Sequence, residues 1–154
     1  MAGIYDIDTY EPRAGLGHLI GRVRAELLTS LDAELARDQM LQPLEVTGAQ
    51  LIVIVNLAGQ EAAVSASALC RCISYDAGAM TRMLDRLEAK GLIRRTRSAE
   101  DRRLILLELT DAGRAAYPRI REISMRVMNH FLRGFTPAEA RQLESLLTRM
   151  LKNA

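Results

Sequence analysis

Leu16, Leu19, Ile20, Val23, Leu27, Leu31 and Leu35 recur at intervals of three and four, the spacing that puts a single apolar stripe on a helix. The pattern predicts one long helix from Arg13 to about Gln39, preceded by an extended arm (Met1 to Pro12) without periodicity. Gly17, Gly21 and Ala25 sit on the opposite flank, a row of small residues that leaves room for another backbone or for a ligand. Gln42-Pro43 marks a connection, and Thr47-Gly-Ala-Gln50 reads as a capping box opening a second helix to about Ala58. Leu51, Ile52, Val53, Ile54, Val55 and Leu57 make that helix apolar nearly all round, as expected of an element packed on several sides.

A short helix from Ser65 to about Cys72, a break at Ile73-Ser74-Tyr75 and a helix from Asp76 to Lys90 form a helix-turn-helix pattern. Met80, Met83, Leu84 and Leu87 supply the buried stripe of the longer helix, and Gly91 is placed to cap its end. Leu92 to Arg97 and Leu104 to Leu109 read as two strands of a hairpin, joined by the charged loop Ser98 to Arg103, so the pattern continues into a wing. Thr110 caps a helix from Asp111 to about Leu132, carrying Ala116, Ile120, Ile123, Val127 and Phe131 on one face, with a bend expected at Pro118. Thr136-Pro137-Ala138-Glu139 starts a last helix whose apolar face holds Leu143, Leu146, Leu147, Met150 and Leu151. The predicted fold is mainly α: a winged helix-turn-helix over 47–110, with long N- and C-terminal helices (1–46 and 111–154) forming a homodimer base.

Composition narrows the class. The chain has 154 residues, 49% of them hydrophobic, 26% charged, and a net charge of +2. That excludes collagen-like, disordered and disulfide-framework proteins. No apolar run approaches the ~18–20 residues of a membrane span, so no membrane partner is expected, and a cytoplasmic location is. Charge is segregated: −4 over 1–46, +2 over 47–110 and +4 over 111–154. Lys90 to Arg103 alone holds six basic against two acidic residues. Nineteen of the 21 basic residues are Arg, whose planar fork suits phosphates and guanine edges.

The helix-turn-helix with its wing is where chemistry concentrates. Ala77 and Gly78 allow close approach to a groove, Thr81 can meet a base edge or thymine methyl, and Arg82 a guanine or a phosphate. Arg102 and Arg103 at the loop tip can reach a narrow minor groove, with Asp101 bracing the loop by pairing with a nearby Arg. The candidate contacts to double-stranded DNA are Ser65, Ser67, Ala77, Gly78, Thr81, Arg82, Arg86, Arg97, Asp101, Arg102 and Arg103. A winged helix used only to bind proteins is the rival reading from a different class.

The run Asp76-Ala-Gly-Ala-Met-Thr-Arg-Met-Leu-Asp-Arg-Leu-Glu-Ala-Lys-Gly91, the Asp101-Arg102-Arg103 tip and Leu109-Thr110-Asp-Ala-Gly113 resemble the MarR (multiple antibiotic resistance regulator) family. The resemblance spans roughly Leu16 to Leu151. It implies a homodimeric, ligand-responsive repressor of a palindromic operator, released by a small aromatic or anionic effector. It also implies a ligand pocket lined by the first, second and fifth helices, for which His18, Arg22, Asn56 and Tyr117 are candidates. A thiol-redox repressor using Cys70 or Cys72 is the alternative within the family. Its peroxide sensors carry their cysteine in the first helix, where this chain has none, and two cysteines two apart on a helix point about 200° apart. No enzyme activity, cofactor or metal is expected: His18 and His130 stand far apart, with no phosphate loop or ligand cluster beside them.

Overall fold

The computed structural model describes residues 3–60, 62–73 and 76–153. Its elements run α1 (Leu16–Arg37), a 3-10 turn (Gln42–Leu44), α2 (Gly48–Ala58), β1 (Val64–Ser65), α3 (Ala66–Ile73), α4 (Ala77–Ala89), β2 (Ile93–Arg97), β3 (Ile105–Leu109), α5 (Asp111–Phe131) and α6 (Pro137–Leu151). The fold is mainly helical with a small antiparallel sheet, in agreement with the sequence pattern.

Both capping boxes form. Thr47 accepts the Gln50 amide while the Gln50 side chain accepts the Thr47 amide, and Thr136 and Glu139 make the same reciprocal pair. Gly91 takes the left-handed conformation at φ +68°, where a side chain would be strained. Thr110 caps α5 and donates its hydroxyl to the Gly91 carbonyl at 2.5 Å, fastening the end of one helix to the start of another.

Several expectations are corrected. The N-terminal arm is not extended: Thr9 and Tyr10 both donate their amides to the Asp6 carbonyl, and Ala14 to that of Glu11, so it folds into two turns. The first helix is Leu16–Arg37 rather than Arg13 to Gln39, because Asp38 leaves the helical conformation and turns its carboxylate onto the Met40 and Leu41 amides. Ser65 belongs to a strand, not to the start of α3. With Val64 it pairs with Leu106 and Leu107, giving a three-stranded sheet of order β1-β3-β2. Ile73 is the last residue of α3; the rest of the expected break, Ser74 and Tyr75, lies outside the described residues. The fifth helix, as expected, is a single element that runs through Pro118.

One core joins the elements from the end of α1 to α5, with buried residues from Leu35 to Val127. Leu35, Leu41, Val53, Ile54, Leu84, Leu87, Leu107, Ile120 and Ile123 are all buried within it, each side chain contributing about 1.5–3 kcal/mol by leaving water. Gly113 sits where α5 crosses the sheet: a Cβ there would fall 2.1 Å from the Leu92 carbonyl oxygen. Outside this core stand two apolar faces. Leu16, Leu19, Ile20 and Val23 on α1, and Leu143, Leu146, Leu147, Met150 and Leu151 on α6, are exposed, and α6 buries no residue at all.

Candidate nucleic-acid interface

The α4 helix presents two chemically distinct faces. Met80, Leu84 and Leu87 are buried, with Met83 half-buried against the core. Ala77, Gly78, Thr81, Arg82, Asp85 and Arg86 are exposed. Asp76 caps the helix by accepting the Ala79 amide at 2.9 Å, and the Thr81 hydroxyl donates to the Ala77 carbonyl at 2.8 Å. The leading end of the helix therefore carries only small side chains of its own, with the Arg82 guanidinium folded back over it, Nη1 3.6 Å from where a Cβ on Gly78 would sit, a shape that fits a major groove. At the start of α3, the Ser65 hydroxyl accepts the Ala68 amide at 3.2 Å and lies 3.3 Å from the exposed Ser67 hydroxyl.

The wing tip is held from inside. Ser98, 8% exposed, accepts the amides of Glu100 and Asp101, while its own amide donates to the Leu104 carbonyl. Asp101 is a brace, as its position suggested, but the group it braces is the Arg103 backbone amide, at 2.9 Å, and not a guanidinium. A short carboxylate two residues away reaches the amide readily, which leaves the Arg103 side chain exposed beside Arg102.

Charge in the basic run divides into two groups. Lys90 points inward, donating to the Glu45 carbonyl at 2.5 Å and to Gln50 Oε1 at 3.1 Å. Burial, with Arg86 adding to it, holds its ammonium below the usual lysine pKa against the pull of Glu45. Arg94 pairs with Glu108 across the hairpin at 2.7 Å, and this hydrogen bond keeps the Glu108 carboxyl below its ordinary pKa. Arg95 reaches back to α4, where Nη1 lies 2.7 Å from Asp85 Oδ1 and Nε 3.5 Å from Glu88 Oε2. Its amide donates to Glu88 and its Nη2 to the Thr81 carbonyl. The run therefore does not act as one patch of +4. Arg97, Arg102 and Arg103 on the wing, with Arg82 and Arg86 on α4, remain as exposed cations. Arg95 is the residue that sequence reasoning missed; its only signal was a pair of acids at α4 positions 85 and 88, one helical turn apart.

The candidate ligand residues are dispersed. His18 and Arg22 face solvent on the first half of α1, and a Cβ at Gly17 or Gly21 would meet nothing within 4 Å. Asn56 is engaged within the chain, its Nδ2 donating to the Ile52 carbonyl at 2.8 Å and its Oδ1 accepting from Cys72 Sγ at 3.5 Å. Tyr117 is half-buried against the core. Cys70 is half-buried and Cys72 exposed, and neither is in a disulfide. No helix among the described residues is long and apolar enough to cross a membrane.

A helix-turn-helix followed by a basic hairpin defines the winged-helix class. The chain belongs to the MarR family of transcriptional regulators. A family profile described as the MarR family matches residues 44–104. The multiple antibiotic resistance protein MarR of Escherichia coli (strain K12) is 30% identical over 141 residues, covering 91% of each chain. The transcriptional repressor MdtR of Bacillus subtilis (strain 168) is 32% identical over 119 residues, 75% of this chain and 76% of that one. Among solved structures, a cysteine-to-serine mutant of E. coli MarR complexed with operator DNA superposes with a TM-score of 0.76 at 29% identity, covering 92% of this chain and 99% of that one. These relatives are regulators and not enzymes, in agreement with the non-enzymatic reading.

Proposed function

We propose that this protein is a homodimeric transcriptional repressor that binds a palindromic operator and is released by a small aromatic or anionic compound. The observation that carries the DNA-binding part is the α4 surface: Ala77 and Gly78 at its leading end, with the exposed Arg82 lying over Gly78 and Arg86 on the same face, beside a wing whose tip arginines are exposed. Two such surfaces related by a two-fold would read half-sites about one helical turn apart. The operator complex of the E. coli relative and the repressor name of the B. subtilis relative support this reading.

The exposed faces of α1 and α6 support the dimer, since together they leave more apolar surface in water than a monomer tolerates. In this arrangement 1–46 and 111–154 form the base and 47–110 the DNA-reading unit, joined by the shared core. For the effector, Arg22 beside His18 supplies the cation an aromatic acid would need. Binding is tested by a gel shift of the intergenic DNA beside the protein's own gene, with and without a panel of aromatic acids. A shift reversed by one of them supports both parts. Binding unaffected by every acid, and equal for wild type and Arg22→Ala under all of them, removes the effector part.

A further inference from the structure

A groove of about 540 Å³ lies between α1 and α5, with Arg37, Arg126 and Arg133 around a floor that includes Ala33 and Val127. Glu34 is bonded to both Arg37 (3.1 Å) and Arg126 (3.6 Å), so one carboxylate faces three guanidiniums and the groove keeps an excess of positive charge. The N-terminal arm has the converse chemistry. Residues 3–15 carry Asp6, Asp8 and Glu11 against Arg13 alone, and Ile4 and Ile7 are 98% and 90% exposed. The arm is ordered without them: its two turns close on Asp6 and Glu11, and the Tyr5 and Tyr10 rings pack at 4.8 Å.

We propose that the groove between α1 and α5 receives the acidic, isoleucine-bearing N-terminal arm of a second copy of this chain. A chain's own arm is badly placed for this. Tyr10 packs beside Gly15 at the start of α1, and the 18 helical rises from Leu16 to Glu34 set the groove about 27 Å further along the helix. The exposed stripe Leu16, Leu19, Ile20 and Val23 that follows the arm is the face proposed above to meet the partner, so the arm leaves α1 on the partner's side. Exchanged arms place carboxylates among the arginines and isoleucines on apolar surface, removing two exposures at once.

This inference rests on the homodimer, and a heterodimer cross-linking experiment separates the two. In a Cys70→Ser, Cys72→Ser background, one tagged chain carries Ile7→Cys and a differently tagged chain carries Asn129→Cys, and a short bismaleimide is added to the mixture. The expected product links the two tags. Asp6→Lys with Asp8→Lys in the arm should lower its yield roughly tenfold, and Arg126→Glu with Arg133→Glu in the other chain should restore it. No inter-chain product while light scattering reports a dimer overturns the arm exchange and leaves the dimer standing, as does a yield indifferent to these charge reversals. A link confined within one chain carrying both cysteines also overturns it. A wild-type monomer overturns the dimer reading itself.

Discussion

Arg95 Nη1 lies 2.7 Å from Asp85 Oδ1, tying the first wing strand to the exposed side of α4, the helix proposed to enter the DNA groove. With Glu88 and the Thr81 carbonyl also engaged, one guanidinium links α4 to β2, the two parts proposed to read DNA. Arg95→Ala should leave the fold intact and weaken operator binding by about 1 kcal/mol, roughly fivefold in Kd. Because this guanidinium is spent inside the protein, the salt dependence of binding should keep its slope, whereas a phosphate contact would make it shallower by about one unit. Anisotropy titrations at several salt concentrations read both quantities. An Arg95→Ala protein with a shallower slope would make Arg95 a DNA contact.

The exposed cations should divide by groove. Thr81→Ala or Arg82→Ala should each cost roughly 1–3 kcal/mol and relax specificity at defined inner positions, as loss of a base contact does. Arg103→Ala should weaken binding on every sequence and flatten a preference for A·T-rich flanks, where the minor groove is narrow and electronegative. Affinity measured on a set of operator variants separates the two patterns. Wild-type behaviour of Arg103→Ala across sequence and salt would take the wing tip off the DNA.

The elements of this fold are legible in the sequence where local chemistry decides them. Thr47 with Gln50, Thr136 with Glu139 and Gly91 each fix a helix end through bonds within a few residues. β1 escapes such reading because two residues, Val64 and Ser65, carry no periodicity, and their strand character exists only through pairing with Leu106 and Leu107. The candidate DNA-binding surface is legible as a composition but not as a set of free charges. Which arginines remain available depends on partners set by folding: Arg94 on Glu108 from the opposite strand, Arg95 on Asp85 from the preceding helix, Lys90 on Gln50 from α2. The arm resembles an extended tail because its turns come from Asp6 and Glu11 bonding their own neighbours, with no hydrophobic period to announce them.

Stability should depend on one carboxylate in acid. Asp38 is buried at the end of α1, and Arg119 on α5 donates to it at 2.6 Å. Burial by itself would raise its pKa; the Arg119 hydrogen bond and charge, with the Leu41 and Met40 amides, outweigh that and hold it below the usual value. A carboxyl with a depressed folded pKa stabilises fully above its unfolded pKa, and the contribution disappears as pH falls through the folded one. Asp38→Asn should therefore lower the Tm at neutral pH, and the gap to wild type should close as the pH falls below the ordinary carboxyl range and through the depressed folded pKa. A gap independent of pH would show that the ionised pair is not its cause.

Removal of α6 should dissociate the protein without unfolding it. No residue of α6 is buried within its own chain, so truncation after Phe135 should leave the helical signal of the remaining elements. It should yield a monomer by light scattering and abolish tight operator binding, since a dimer engages two half-sites through one linked event. A truncated chain that stays dimeric would move the interface away from α6.

Footprinting of the full-length protein on the DNA upstream of its own gene tests operator recognition most directly. Protection should cover a two-fold-symmetric sequence, with two half-sites about 10 bp apart centre to centre and one dimer bound per operator, and Arg82→Ala should lose protection at the same inner position of both halves. Uniform protection along the fragment, indifferent to sequence and unchanged by Arg82→Ala, would contradict it.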